Sequence, residues 1–228
     1  MTAVVYGVQG YSALCLAEGL ERRQGCTSSP PPFLLTVDSD IVTTRIAKKY
    51  LQQYLTARNE EGADPCQHIH MESLDGKGAE VLQNLHDQTE HMFDLVFLDA
   101  NKKGYIDYLK VLMGEGGEEE REEGVAVAAR ACDRRRAMLS PNALIVVDNT
   151  LWKGMVVQEV PALAALAQQQ QQLGGGEGGG GGGRMQQLAK ALHAFNSHCR
   201  EHPLLSPVLL PIRDGLTVVR YNPPPLSS

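Results

Sequence analysis

No stretch of this 228-residue chain is apolar for long enough to cross a bilayer as a helix. The first residues, Met1 to Leu20, have no basic leader followed by an apolar core and a small-residue cleavage site, so no secretory signal is read there. There is no CxxC pair. The five cysteines (Cys15, Cys26, Cys66, Cys132, Cys199) are odd in number and scattered, which argues against a disulfide framework and for reduced thiols in a cytoplasmic protein. Positive charge is not in excess either. A net charge of -6 and a pI of about 5.6 argue against a nucleic-acid-binding surface. The one basic run, Arg134-Arg135-Arg136, has acidic residues close by and reads as a solvated helix face.

What the chain does have is two short, unbroken apolar runs that each end in oxygen ligands. Phe93-Asp94-Leu95-Val96-Phe97-Leu98 leads into Asp99-Ala100-Asn101-Lys102, and Ala143-Leu144-Ile145-Val146-Val147 leads into Asp148-Asn149. Short runs of Val, Ile, Leu and Phe are how fully buried parallel strands read. Asp99, Asp148 and Asn149 would then share the carboxyl edge of one sheet, where open α/β sheets bind their ligands. Two carboxylates and an amide oxygen suit a hard cation of the Mg²⁺ or Ca²⁺ type.

The rest of the chain alternates strand and helix. Strands are expected at Ala3–Tyr6, Phe33–Val37, His68–Met71, Phe93–Leu98 and Ala143–Val147, with helices at Tyr11–Glu21, Ile41–Ala57 and Ala79–His86. Val208–Ile212 and Leu216–Arg220, joined by Arg213-Asp214-Gly215, read as a hairpin. The fold class is α/β, a doubly wound, mostly parallel sheet of about seven strands, closed by an antiparallel strand of that hairpin. One domain over residues 1–228 is expected, with surface insertions at Gly114–Gly124, rich in Glu and Gly, and at Gln168–Gly183, a Gln tract running into a Gly tract. The second insertion offers almost no apolar side chains to offset its ordering entropy, so deleting it should leave thermal stability nearly unchanged.

At the other end of the sheet edge, Gly10 follows the first strand and Asp38 closes the second. A Gly there lets backbone approach a ligand, and an acidic strand end can hold ribose hydroxyls. These two features alone suit a dinucleotide as well as S-adenosylmethionine. They suit equally a tight turn and an acidic residue at a helix start. Against a nicotinamide-dependent oxidoreductase, the first loop lacks the full GxGxxG spacing.

Four segments carry a family resemblance. Gly10-Tyr11-Ser12-Ala13, the stretch Leu98 to Leu112 (LDANKKGYIDYLKVL), Val146 to Gly154 (VVDNTLWKG) and Leu209 to Arg220 (LLPIRDGLTVVR) resemble, in order and approximate spacing, motifs of the cation-dependent O-methyltransferases, the caffeoyl-CoA and catechol group. The DNTLW segment is the most specific. The resemblance implies a Rossmann-like class I S-adenosylmethionine-dependent methyltransferase fold. It implies Asp99, Asp148 and Asn149 as ligands of Mg²⁺ or another divalent cation, and Lys102 as general base. It also implies Gly10, Tyr11, Ser12, Asp38 and Asp99 at the S-adenosyl-L-methionine cofactor, and Trp152 lining the acceptor pocket. The implied partner is a small aromatic with vicinal hydroxyls, with neither nucleic acid nor membrane; the resemblance leaves room for a homodimer.

The chain also departs from the family. Val4 and Tyr6 stand where the family's first strand motif has an acidic residue and a Gly, and Asn101 stands at a second acidic position near the metal. The family's helices ahead of the first strand have no counterpart, so an incomplete amino end is expected. These departures keep a second reading open, a degenerate non-catalytic binding module on the same fold.

Overall fold

The computed structural model describes residues 2–6, 10–21, 32–60, 69–88, 92–115, 137–160 and 182–223. Seven strands form one sheet: β1 (Thr2–Tyr6), β2 (Phe33–Asp38), β3 (His70–Asp75), β4 (Phe93–Leu98), β5 (Leu139–Asp148), β6 (Leu205–Leu210) and β7 (Leu216–Tyr221). Their order is β3-β2-β1-β4-β5-β7-β6. The ladders β3-β2, β2-β1, β1-β4 and β4-β5 are parallel, and β7 runs antiparallel to both β5 and β6. The chain winds one way from β1 to β3, then returns to β4 on the other side of β1. That reversal opens a crevice at the carboxyl ends of β1 and β4.

Helices cover both faces, which makes the sheet doubly wound. On one face lie α1 (Tyr11–Glu21) and α2 (Ile41–Glu60), whose Ala13, Ala17, Leu20 and Leu51 pack with Leu34 and Ile69 and against Leu95 and Phe97. On the other lie α3 (Gly78–Gln88), α4 (Tyr105–Met113) and α5 (Gly182–Glu201). Leu82, Leu109, Leu112, Leu192 and Phe195 from these helices pack over Leu35, Val96, Leu98, Ile145 and Val147. Alternate residues of β4 therefore face opposite cores, which is why its run has no polar face. Each buried Leu or Val contributes roughly 1.5–3 kcal/mol relative to exposure.

Several elements differ from the sequence reading, each for a physical reason. β3 begins at His70 rather than His68 and extends to Asp75, because an edge strand reading HMESLD is paired through its backbone to all of β2 and has little apolar signal. β5 begins at Leu139, four residues before Ala143; Pro141 and Asn142 (φ 67°) sit inside it, where the β4-β5 register shifts. β6 is Leu205–Leu210, so Ile212 lies in the turn and is exposed, and Pro207 is tolerated because β6 is an edge strand. Gly114 is the left-handed cap of α4, its N–H donating to the carbonyls of Lys110 and Val111. Gly182 and Gly183 open α5. The remainder of the two expected insertions, from residue 116 and up to residue 181, lies outside the described residues.

Candidate active site

Asp99 follows the last residue of β4. After it, Asn101 caps a 3-10 turn, Lys102–Gly104, its side-chain oxygen accepting from the Lys103 N–H at 3.3 Å. The amide that replaces an expected carboxylate is thus the turn's cap, a role either group can fill. The turn swings Lys102 back over Asp99, with Nζ 3.4 Å from Oδ1 and both side chains largely buried. The ammonium also lies 5.4 Å from the centre of the Trp152 ring and 5.9 Å from that of Tyr105. Burial pushes the Asp99 carboxyl above its ordinary range; Lys102 pulls it back, and the charge of Asp148 raises it again. The carboxylates of adjacent strand ends are therefore close enough to repel.

Asp148 ends β5, its Oδ1 accepting the Asn149 N–H at 2.7 Å. The chain then folds through left-handed conformations at Asn149 (φ 63°), Trp152 (φ 46°), Lys153 (φ 54°) and Gly154 (φ 77°). Non-glycine residues held there cost about 1–3 kcal/mol each and need a surround that fixes them. The closing hairpin supplies it. The N–H of Thr150 donates to the Gly215 carbonyl at 3.0 Å, and those of Leu151 and Trp152 to the Asp214 carbonyl at 2.8 and 3.2 Å. Thr217 Oγ1 donates to Thr150 Oγ1 at 2.8 Å, and Asn196 Nδ2 to the Thr150 carbonyl at 2.9 Å. Gly215 has φ 86°, and a Cβ there would stand 2.5 Å from Leu151 Cγ and 2.7 Å from its backbone nitrogen.

A cavity of about 440 Å³ opens at the carboxyl ends of β2, β3 and β4, lined by Asp38 of β2, Gly76 and Lys77 after β3, Asn101 after β4, and Tyr108 of α4. Asp38 Oδ1 accepts the Asp40 N–H at 2.9 Å. The cap of α2 is Asp40, whose Oδ1 accepts from the Val42 N–H at 2.9 Å. Asp38 is thus left at the cavity rather than spent on the helix.

A family model for O-methyltransferases matches residues 3–115 and 133–222. The chain belongs to the O-methyltransferase family. It is 23% identical over 213 residues to O-methyltransferase ankF of Aspergillus thermomutatus, covering 93% of this chain and 67% of the relative. It is 21% identical over 198 residues to Tricin synthase 2 of Oryza sativa subsp. japonica, covering 86% of this chain and 53% of that one. Among solved structures, the SAH-bound methyltransferase PaMTH1 of Podospora anserina shares the fold with a TM-score of 0.61 at 21% identity, over 97% of this chain and 72% of its own. The chain therefore spans about half the length of the rice relative and about two thirds of the fungal one.

In this O-methyltransferase the expected residues fall into two groups. Asp99, Lys102, Asp148 and Trp152 lie together at the ends of β4 and β5, and Asn149 follows Asp148 with its backbone N–H bonded to that carboxylate. Of the residues expected at the cofactor, Asp38 lines the cavity, and Gly10, Tyr11, Ser12 and Asp99 do not. The need for glycine at position 10 has a packing cause, since its φ is 87° and a Cβ would come within 2.9 Å of the Ala47 Cα on α2. Tyr11 is 73% exposed. Among the described residues no group of three or more His, Cys, Asp or Glu side chains could hold a metal ion. The expected ligand set has two carboxylates and one amide. Its donor chemistry suits a hard cation, since the mutual repulsion of Asp99 and Asp148 is what such an ion relieves. Sequence reasoning missed the groups that hold the Asn149–Gly154 loop, namely Asn196, Asp214, Gly215 and Thr217. The one available signal was Asp214-Gly215, read as a turn only. No helix among the described residues is long and apolar enough to cross a membrane.

Proposed function

We propose that this protein transfers the methyl group of S-adenosylmethionine to one of two vicinal hydroxyls of a small aromatic acceptor, with a divalent cation held by Asp99, Asp148 and Asn149. The observation that carries the reading is the Lys102–Asp99 pair, 3.4 Å apart, beside Asp148 and Asn149 on the neighbouring strand end. The SAH-bound Podospora relative and the flavonoid-type name of the rice relative, Tricin synthase 2, support the cofactor and the acceptor class. The bound cation would supply Lewis acidity that lowers the acceptor hydroxyl's pKa and fixes its orientation. Asp38 would accept hydrogen bonds from the cofactor ribose at the cavity wall. Trp152 would form one face of the acceptor pocket and, with Tyr105, shield Lys102 from water.

Lys102 Nζ takes the hydroxyl proton. To do so it acts as the neutral amine, which means giving up its pairing with Asp99. The oxygen lone pair then forms the C–O bond as the C–S bond breaks. The C–S electron pair returns to sulfur and neutralises the sulfonium, so the positive charge ends as the proton on Lys102 and S-adenosylhomocysteine leaves with a neutral sulfur. The test is calorimetric titration with S-adenosylmethionine, S-adenosylhomocysteine and NAD, with and without Mg²⁺, followed by labelled methyl transfer to catechols, caffeoyl thioesters and flavonoids. Binding of the two S-adenosyl ligands and Mg²⁺-dependent transfer are expected. Binding without transfer to any acceptor would leave a binding module in its place.

A further inference from the structure

We infer that Tyr105 is the positioning residue that sets the spacing of the two carboxylate-bearing strand ends, an inference that rests on the cation site proposed above. Its side chain is fully buried at the start of α4. Its hydroxyl lies 3.4 Å from the carbonyl oxygen of Leu98 and 3.4 Å from that of Asp148. The first belongs to the peptide linking Leu98 to Asp99, the second to the peptide linking Asp148 to Asn149. Leu98 and Val147 are the last paired residues of the β4-β5 ladder. At that end of the ladder the Tyr105 hydroxyl contacts both strands. A phenol has one proton to donate, so two equal and long contacts are what a donor shared between two carbonyls gives. The ring is wedged by an edge contact with Phe195 of α5, 5.6 Å between centroids. Both peptides that carry proposed ligands are therefore referred to one atom, the Tyr105 hydroxyl oxygen.

The ring and the hydroxyl separate the two roles. Tyr105→Phe keeps the ring, its contact with Phe195 and the face under Lys102, and removes only the strut. Phe195→Leu loosens the ring and keeps the hydroxyl. Mn²⁺ binding to the full chain, followed by electron paramagnetic resonance with no substrate present, reads the cation site apart from activity. Tyr105→Phe is expected to raise the Mn²⁺ Kd roughly 10- to 100-fold, the range seen when groups orienting metal ligands are lost. Phe195→Leu is expected to lower Tm and leave the Mn²⁺ Kd within about twofold of wild type, because the strut survives. An unchanged Kd in Tyr105→Phe, with wild type binding Mn²⁺, overturns the inference alone. An equal loss in both variants assigns the effect to packing and also overturns it. No Mn²⁺ binding by wild type overturns the cation site and this inference with it.

Discussion

Lys102 and Asp99 form an ion pair that the proposed reaction must break, and each can be tested by itself. Lys102→Ala should lower kcat roughly 10²–10⁴-fold, the usual worth of a general base, while S-adenosylmethionine affinity changes little. Equal losses in cofactor binding and turnover would assign Lys102 to binding instead. Asp99 behaves differently because burial holds its carboxyl above its ordinary value. A carboxyl raised on folding destabilises the folded state once it ionises. The penalty is absent below its unfolded value and grows as pH rises through the folded one. Asp99→Asn should therefore raise Tm of the metal-free protein at pH 7.5, with the gain vanishing near pH 3, and should abolish cation binding. A lower Tm at pH 7.5 would mean that the Lys102 pair outweighs burial. Asp99, Lys102, Asp148 and Asn149 were legible as residues because each closes an apolar run or follows within one turn of it. Gly10 shows the limit: its glycine is explained by Ala47 of α2, a neighbour 37 positions away that no local pattern names.

The loop from Asn149 to Gly154 is held by an element more than 60 residues later, the turn before β7. Gly215→Ala would push a Cβ into Leu151 while forcing a left-handed alanine. A loss of about 1–3 kcal/mol from the backbone alone is expected in chemical denaturation, together with weaker cation binding. Wild-type stability in that variant would show that the turn is not a fixed support. The buried pair Thr150–Thr217 gives a cleaner reading. Thr217→Val strands a buried hydroxyl and should cost about 1–3 kcal/mol, and adding Thr150→Val should recover part of that loss. Additive losses would mean that the hydroxyls do not interact. Such supports were invisible in the sequence because Thr217 lies in a strand whose pattern records burial, not partners. Element limits failed for related reasons. β3 and β6 are edge strands held by backbone pairing, and α5, a helix not expected from the sequence, starts at a pair of glycines at the end of a low-complexity tract.

For the molecule as a whole, the alternation of apolar runs with helical spacing was enough for a parallel sheet covered on both faces, while the adjacency of β4 and β5 rested on the hairpin and the family resemblance as well. A strand buried on both faces must be apolar throughout, and Phe93–Leu98 meets that demand except at Asp94. The carboxyl of Asp94 is satisfied by the Ser140 hydroxyl on the neighbouring strand at 2.7 Å. The strand order then places both acidic ends at one edge, and the proposed function rests on that placement. The most direct test is the initial rate of methyl transfer from S-adenosylmethionine to a catechol-type acceptor, measured after chelation and across a Mg²⁺ titration, for wild type and Asp148→Ala. No rate is expected in chelator, with saturable recovery by Mg²⁺ in wild type and no recovery in Asp148→Ala. A rate that survives chelation, or an Asp148→Ala variant that Mg²⁺ activates as it does wild type, would contradict the proposed cation-dependent transfer.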